Sequence, residues 1–202
     1  YTSTSHLNMG AGVGAELTIE NGATYTLTNA YIGQLPTNNF PVDSSSADYA
    51  ATLNLSNGHV NGNVIVGADA AGVLNVSGTS SIDGNVTLAQ SSGSSGEMNI
   101  ASGANWTLSG NLTCGAGSAT INNNSANSVI TGSISCSTNN AVLNNGGGGV
   151  LTFNQAGATI GAAVNNNGQI VVTDGSSVTL SGAFSGSGSA NLNTTGSLAL
   201  NG

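Results

Sequence analysis

Residues 63–78 read NVIVGADAAGVLNVSG. Val64 and Val66 form an apolar pair two positions apart. Gly67 interrupts it, Gly72 precedes a second pair at Leu74 and Val76, and Gly78 closes the unit. A spacing of two is the period of a strand with one buried face, and glycine supplies the backbone freedom a tight corner needs. Near-copies recur as HLNMGAGVGAELTIENG (6–22), NVTLAQSSGSSGEMNIASG (85–103) and NLTCGAGSATINN (111–123). Self-similarity at a period of 20 to 50 residues is the mark of a repeat architecture.

Three strand types follow one another through the chain. The first comprises Leu7/Met9, Ala30/Ile32, Val64/Val66, Val86/Leu88, Leu112/Cys114 and Ile134/Cys136, with Ala162/Val164 as a weaker member. The second comprises Leu17/Ile19, Leu53/Leu55, Leu74/Val76, Met98/Ile100, Leu151/Phe153 and Ile170/Val172, and Ile121/Asn123 fits it less well. The third comprises Tyr25/Leu27, Trp106/Leu108, Val178/Leu180 and Leu198/Leu200, with Ile82 and Ile130 as partial members. Each repeat therefore holds three short strands and three corners. Stacked at about 4.8 Å, equivalent apolar pairs line up in columns. The expected fold is all-β: a three-sided parallel β-solenoid of seven or eight coils, roughly 35–40 Å long. Residues 1–202 form a single domain, with 34–50 as a loop inserted between coils.

Composition narrows the function. The 202 residues include no Lys or Arg, eight Asp and Glu, and 31 Gly, for a net charge of −8 with His neutral. Nucleic-acid binding needs basic side chains to neutralise phosphates, and attraction to an anionic membrane surface needs them too. No apolar run approaches the roughly 20 residues of a membrane-spanning helix, so neither nucleic acid nor membrane insertion is expected. The start, YTSTSH, shows no charged or apolar segment of a signal peptide.

Residues pointing outward form columns as well. Thr18, Asn54, Asn75, Asn99 and Asn122 fall at one outward position, where stacked Asn amides can hydrogen-bond along the axis. The inserted loop QLPTNNFPVDSSSADYA holds both prolines, and Phe40, Asp43, Asp48 and Tyr49 are its candidate contact residues. The alternative for that loop is a flap anchored on the rod by Phe40 and Tyr49. Asp43 and Asp48 could also share a calcium ion with loop carbonyls, although the chain as a whole calls for no cofactor.

The pattern V-x-V-G-x-x-x-x-G-x-L-x-V-x-x-G, carried by Val64, Val66, Gly67, Gly72, Leu74 and Val76, resembles the β-helix repeats of autotransporter passengers and PEP-CTERM-associated surface proteins. The resemblance implies a right-handed parallel β-helix secreted to the cell surface. The chain departs from it in having no basic residue, and neither a membrane-barrel domain nor an anchoring helix is read in it.

Chemistry is sparse. His6 and His59 have no Ser, Cys or carboxylate at a motif spacing that singles them out, and no pair of facing carboxylates is evident. The expectation is a protein that is not an enzyme and has no catalytic or metal-binding residues. Cys114 and Cys136 occupy equivalent places in consecutive coils, 22 residues apart. They either form a candidate disulfide, which an in-register separation near 4.8 Å permits, or pack as two buried thiols.

The two ends bear on function. The chain opens on a first-type strand (Leu7, Met9) and closes on what reads as a third-type strand (Leu198, Leu200), so a neighbouring subunit's first strand would supply the next side. The leading expectation is an extracellular, self-assembling filament subunit joined head to tail at Leu7, Met9, Leu198 and Leu200, as in a surface fibre or biofilm matrix. The alternative is an adhesin segment of a larger β-helix protein, contacting a partner such as a surface glycan through residues 34–50. A third reading, ice binding on Thr ranks, is weakened by interruptions at Ile65, Asp83 and Ser135.

Overall fold

The computed structural model describes residues 6–10, 14–35, 50–136, 140–155 and 157–201. These residues hold 23 strands and no helix. All the strand pairings are parallel. The fold is a β-solenoid of about eight coils.

The second face is an 8-stranded sheet running from Ala15–Glu20 to Phe184–Ser185. The first and third faces share a 15-stranded sheet. They merge because two long strands, Thr24–Ile32 and His59–Val66, each round a corner and serve both faces. Alternation along each strand buries every second residue, as in the BiBiB pattern of Ala141–Asn145. Equivalent buried residues then stack. Ile32, Val66 and Leu88 follow one another on the first face, and Leu53, Leu74 and Met98 on the second.

The corners are as tight as the glycine spacing implies. Gly67 has φ 72°, and a Cβ on it would lie 2.2 Å from the Ser95 carbonyl oxygen of the next coil. A side chain there would have to push two coils apart.

The later coils correct the face assignments. Leu151/Phe153 and Ile170/Val172 lie on the third face, where Phe153 pairs with Ile130 and Val172 with Phe153. Val164 lies on the second face opposite Leu143. Val178/Leu180 and Leu198/Leu200 lie on the first face, in line with Ile160. The cause is a change in the second face's inner column. That column runs Ile19, Leu55, Val76, Ile100 and then switches to Asn123, Asn145 and Asn166. All three Asn are at most 1 % exposed. The apolar pair that marks the face therefore disappears, although the face continues. The coils also shorten, pairing at an offset of 20 residues near the C-terminal end where 22 is common earlier.

The buried amides satisfy one another. Asn123 Nδ2 donates to Asn145 Oδ1 at 2.8 Å, and Asn145 Nδ2 to Asn166 Oδ1 at 2.8 Å. The series is closed at one end by the Ser128 hydroxyl, which donates to Asn123 Oδ1 at 2.7 Å, and at the other by Asn166 Nδ2 donating to the Ser189 carbonyl at 3.2 Å. Buried polar groups cost little when paired in this way and much when orphaned.

A volume exchange explains the partial third-type members. Trp106 is fully buried and pairs with Ser80 in the coil before it and Ser128 in the coil after it. Two small residues make room for one indole, which preserves packing density along the column. Ile82 and Ile130 keep the other inward place.

Asn145 supplies both a donor and an acceptor to its neighbours. Asn145→Val is expected to lower the unfolding free energy by about 2–4 kcal/mol, because it strands an amide on each side. Changing Asn123, Asn145 and Asn166 together to Val should cost less than three times as much. Urea denaturation midpoints measure both; a neutral Asn145→Val would contradict the buried column.

Candidate functional site

The outward Asn column is a continuous hydrogen-bonded ladder. Asn75 Nδ2 donates to Asn54 Oδ1 at 2.9 Å, Asn99 to Asn75 at 3.1 Å and Asn122 to Asn99 at 2.8 Å. It extends beyond the residues expected from the sequence, through Asn144 to Asn122 at 2.9 Å and Asn165 to Asn144 at 2.8 Å. The Ser185 hydroxyl donates to Asn165 at the far end, and Asn54 reaches Glu16 and Thr18 at the near end. Donors in this outer ladder point toward the N-terminal coil. Donors in the buried column point the opposite way. Adjacent rows of amide dipoles thus oppose each other.

Cys114 and Cys136 are bonded to each other, with Cα atoms 4.6 Å apart. The bridge joins neighbouring strands, Leu112–Cys114 and Ile134–Cys136, inside the first face. It ties two adjacent coils within one inward column of that face.

The last described coil is open. Phe184, Leu192 and Leu200 are 40 %, 47 % and 56 % exposed. They extend the columns of Val164, Val172 and Leu180, which are all buried. At the other end Met9 is buried while Leu7, Leu17 and Tyr25 are half-buried. Leu198 and Leu200 share the first face with Leu7 and Met9, so the expected absence of a first-face strand from the last coil does not hold. That place is filled by Ser197–Leu200.

Coil stacking brings together a cluster that linear spacing concealed. His59 Nδ1 lies 2.6 Å from Ser81 Oγ, and His59 Nε2 lies 3.4 Å from Asp83 Oδ2. His59 and Ser81 line a groove of about 350 Å³ together with Asn57, Thr79, Asn105 and Thr107. The partners are one coil removed in sequence, at a separation of 22 residues for Ser81. The coil period is itself the signal that could have found them. His6 stands elsewhere, exposed, with its ring centroid 5.8 Å from that of Tyr31.

The first-face hydroxyl rank is longer than the sequence suggested. Thr87, Thr113, Ser135, Thr159 and Thr179 occupy one outward column. Ile65 precedes Thr87 in that column and bounds the rank on its N-terminal side, as the sequence indicated. Phe40, Asp43, Asp48 and Tyr49 lie outside the described residues. Among the described residues there is no group of three or more His, Cys, Asp or Glu placed to hold a metal ion.

No protein-family model matches the chain, and no curated protein or solved structure is significantly similar to it.

Alkylation without reductant should leave the native mass unchanged, and reduction under denaturing conditions should expose two thiols. Cys114→Ala with Cys136→Ala should remove about 3 kcal/mol of stability, the scale for a cross-link closing a loop of this size. Two thiols alkylated without reductant would contradict the bridge.

Proposed function

We propose that this chain is a structural subunit of an extracellular filament that grows by head-to-tail stacking along the solenoid axis. The observation that supports the reading is the regular parallel stacking: an apolar column on each face passes from coil to coil through the described residues, in a register that a coil of a second copy can continue. Apolar columns and strand edges that continue in one register favour stacking of coil on coil. A second copy offers a matching one. Leu17 and Ile19 would continue the second face, and Tyr25 and Leu27 the third.

The first face gives the joint its form. Both copies bring a first-face strand, Leu7–Met9 and Ser197–Leu200, to the seam. When the second and third faces pair edge to edge, these two strands compete for one rung. The junction is then a lap in which one first-face strand gives way to the other. A heterologous contact of this kind does not close and produces an open fibre.

Other features suit an extracellular structural role. The Asn ladders hold coils together without ion pairs, so the rod's surface cohesion is insensitive to salt. A disulfide favours an oxidising compartment. The absence of Lys and Arg removes every trypsin-type cleavage site. The resemblance of the repeat to autotransporter and PEP-CTERM-associated surface proteins points to the same setting.

Electron microscopy of the purified chain tests the proposal. The expected result is long unbranched fibres with an axial repeat of about 4.8 Å. Phe184→Asp together with Leu200→Asp should leave short rods with an unchanged β-sheet circular dichroism spectrum. Monodisperse short rods of the unsubstituted chain at high concentration would overturn the proposal.

A further inference from the structure

The cluster on the third face is arranged for acyl chemistry. His59 and Ser81 are directly aligned on neighbouring strands. Both are fixed by backbone bonds, His59 N donating to Ala23 O at 2.9 Å and Ser81 N to Gly58 O at 3.1 Å. The Ser81 hydroxyl and the imidazole are therefore held at hydrogen-bond distance, 2.6 Å, by the sheet itself. Asp83 sits against the other ring nitrogen at 3.4 Å and is steadied by the Ser109 hydroxyl at 2.9 Å. A nucleophile bonded to a base, and a base oriented by a carboxylate, are the geometric tests for an activated serine.

The far side of Ser81 completes the arrangement. Thr107 is aligned with Ser81 on the next strand, and Asn105 stands two residues before it. Neither side chain is hydrogen-bonded to another described residue, and both line the groove beside Ser81. They are free donors placed opposite the base, where negative charge would develop on a carbonyl oxygen. The groove is small, about 350 Å³. Asp83 and the net charge of −8 disfavour anionic substrates.

We propose that Ser81 is a nucleophile toward small uncharged acyl esters, with His59 as general base and Asp83 as the positioning residue for His59. Ser81 Oγ forms a bond to the acyl carbon as its proton passes to His59 Nδ1. The resulting oxyanion accepts from Asn105 and Thr107. Collapse breaks the bond to the alcohol oxygen, which leaves with the proton from His59. A water molecule, deprotonated by His59, then attacks the acyl-serine. The carboxylic acid is released and Ser81 recovers its proton. This inference stands independently of the filament reading, since every residue in it lies in the body of the rod.

The test uses the full chain with a fluorophosphonate probe and with p-nitrophenyl acetate. The probe should add to Ser81, located by mass spectrometry of peptides, and Ser81→Ala should abolish the adduct. Turnover above buffer should fall at least tenfold, the lower range of general-base contributions, in Ser81→Ala and His59→Gln. Asp83→Asn should lower kcat with KM unchanged, and Asp83→Glu should recover part of the loss, which a purely structural Asp83 would not do. His6→Gln, which removes the other imidazole, should change neither readout. Absence of a Ser81 adduct on the unsubstituted protein overturns the proposal without recourse to any variant. So does equal turnover by the unsubstituted protein and Ser81→Ala.

Discussion

Parallel pairing of each strand with its counterpart one coil away is the interaction on which the structure depends. It fixes a single register for the rod, because every inward residue must fit the residue above it and the one below it. Stability then accumulates as a sum of neighbour terms. The consequences are visible column by column. Leu and Val stack on Leu and Val, Cys114 meets Cys136, and Trp106 is accommodated between Ser80 and Ser128. Asn meets Asn both inside and outside the wall.

The two Asn rows show how a chain without Lys or Arg satisfies its polar groups. Outside, the ladder replaces surface ion pairs with amide-to-amide bonds that follow the strand register. Inside, a fully buried amide would be costly alone, but Asn123, Asn145 and Asn166 supply each other with donors and acceptors. A buried polar row also selects register. Slipping one coil by a single residue would turn these amides outward and bring their neighbours in. The same stacking assembles the His59, Ser81 and Asp83 cluster, with each contact crossing a coil boundary. Side-chain clusters in such a fold come from columns rather than from local motifs.

Much of this was legible in the residues. The apolar pairs at spacing two and the corner glycines give the parallel solenoid and its coil number. The outward Asn positions of the 54–122 coils give the first part of the ladder, and the equivalent cysteines give the bridge as one of two outcomes, the one the structure shows. The reading failed where chemistry departed from the apolar-pair rule. Once Asn takes the inward place at 123, 145 and 166, the second face carries no pattern that distinguishes it from a corner. Pairs such as Leu151/Phe153 then look like its continuation. The shortened coils place Leu198/Leu200 on the first face instead of the third, so the proposed filament joint is a lap where the sequence reading had a vacancy. The His59 cluster was missed because a motif search follows neighbours in sequence, whereas its members are neighbours through the coil period.

Competitive disulfide formation within the core tests the register most directly. In a chain carrying Cys114→Ala, Leu143→Cys and Val164→Cys, three thiols compete: the native Cys136 and the two introduced ones. Val164 pairs with Leu143 on the second face, whereas the apolar-pair rule would place Val164 over Cys136 on the first. Only residues with Cα atoms within about 7 Å can be joined without moving the backbone. The structure predicts that mild oxidation links positions 143 and 164 and leaves Cys136 free. A bridge between positions 136 and 164 would contradict the register, and with it the buried Asn column.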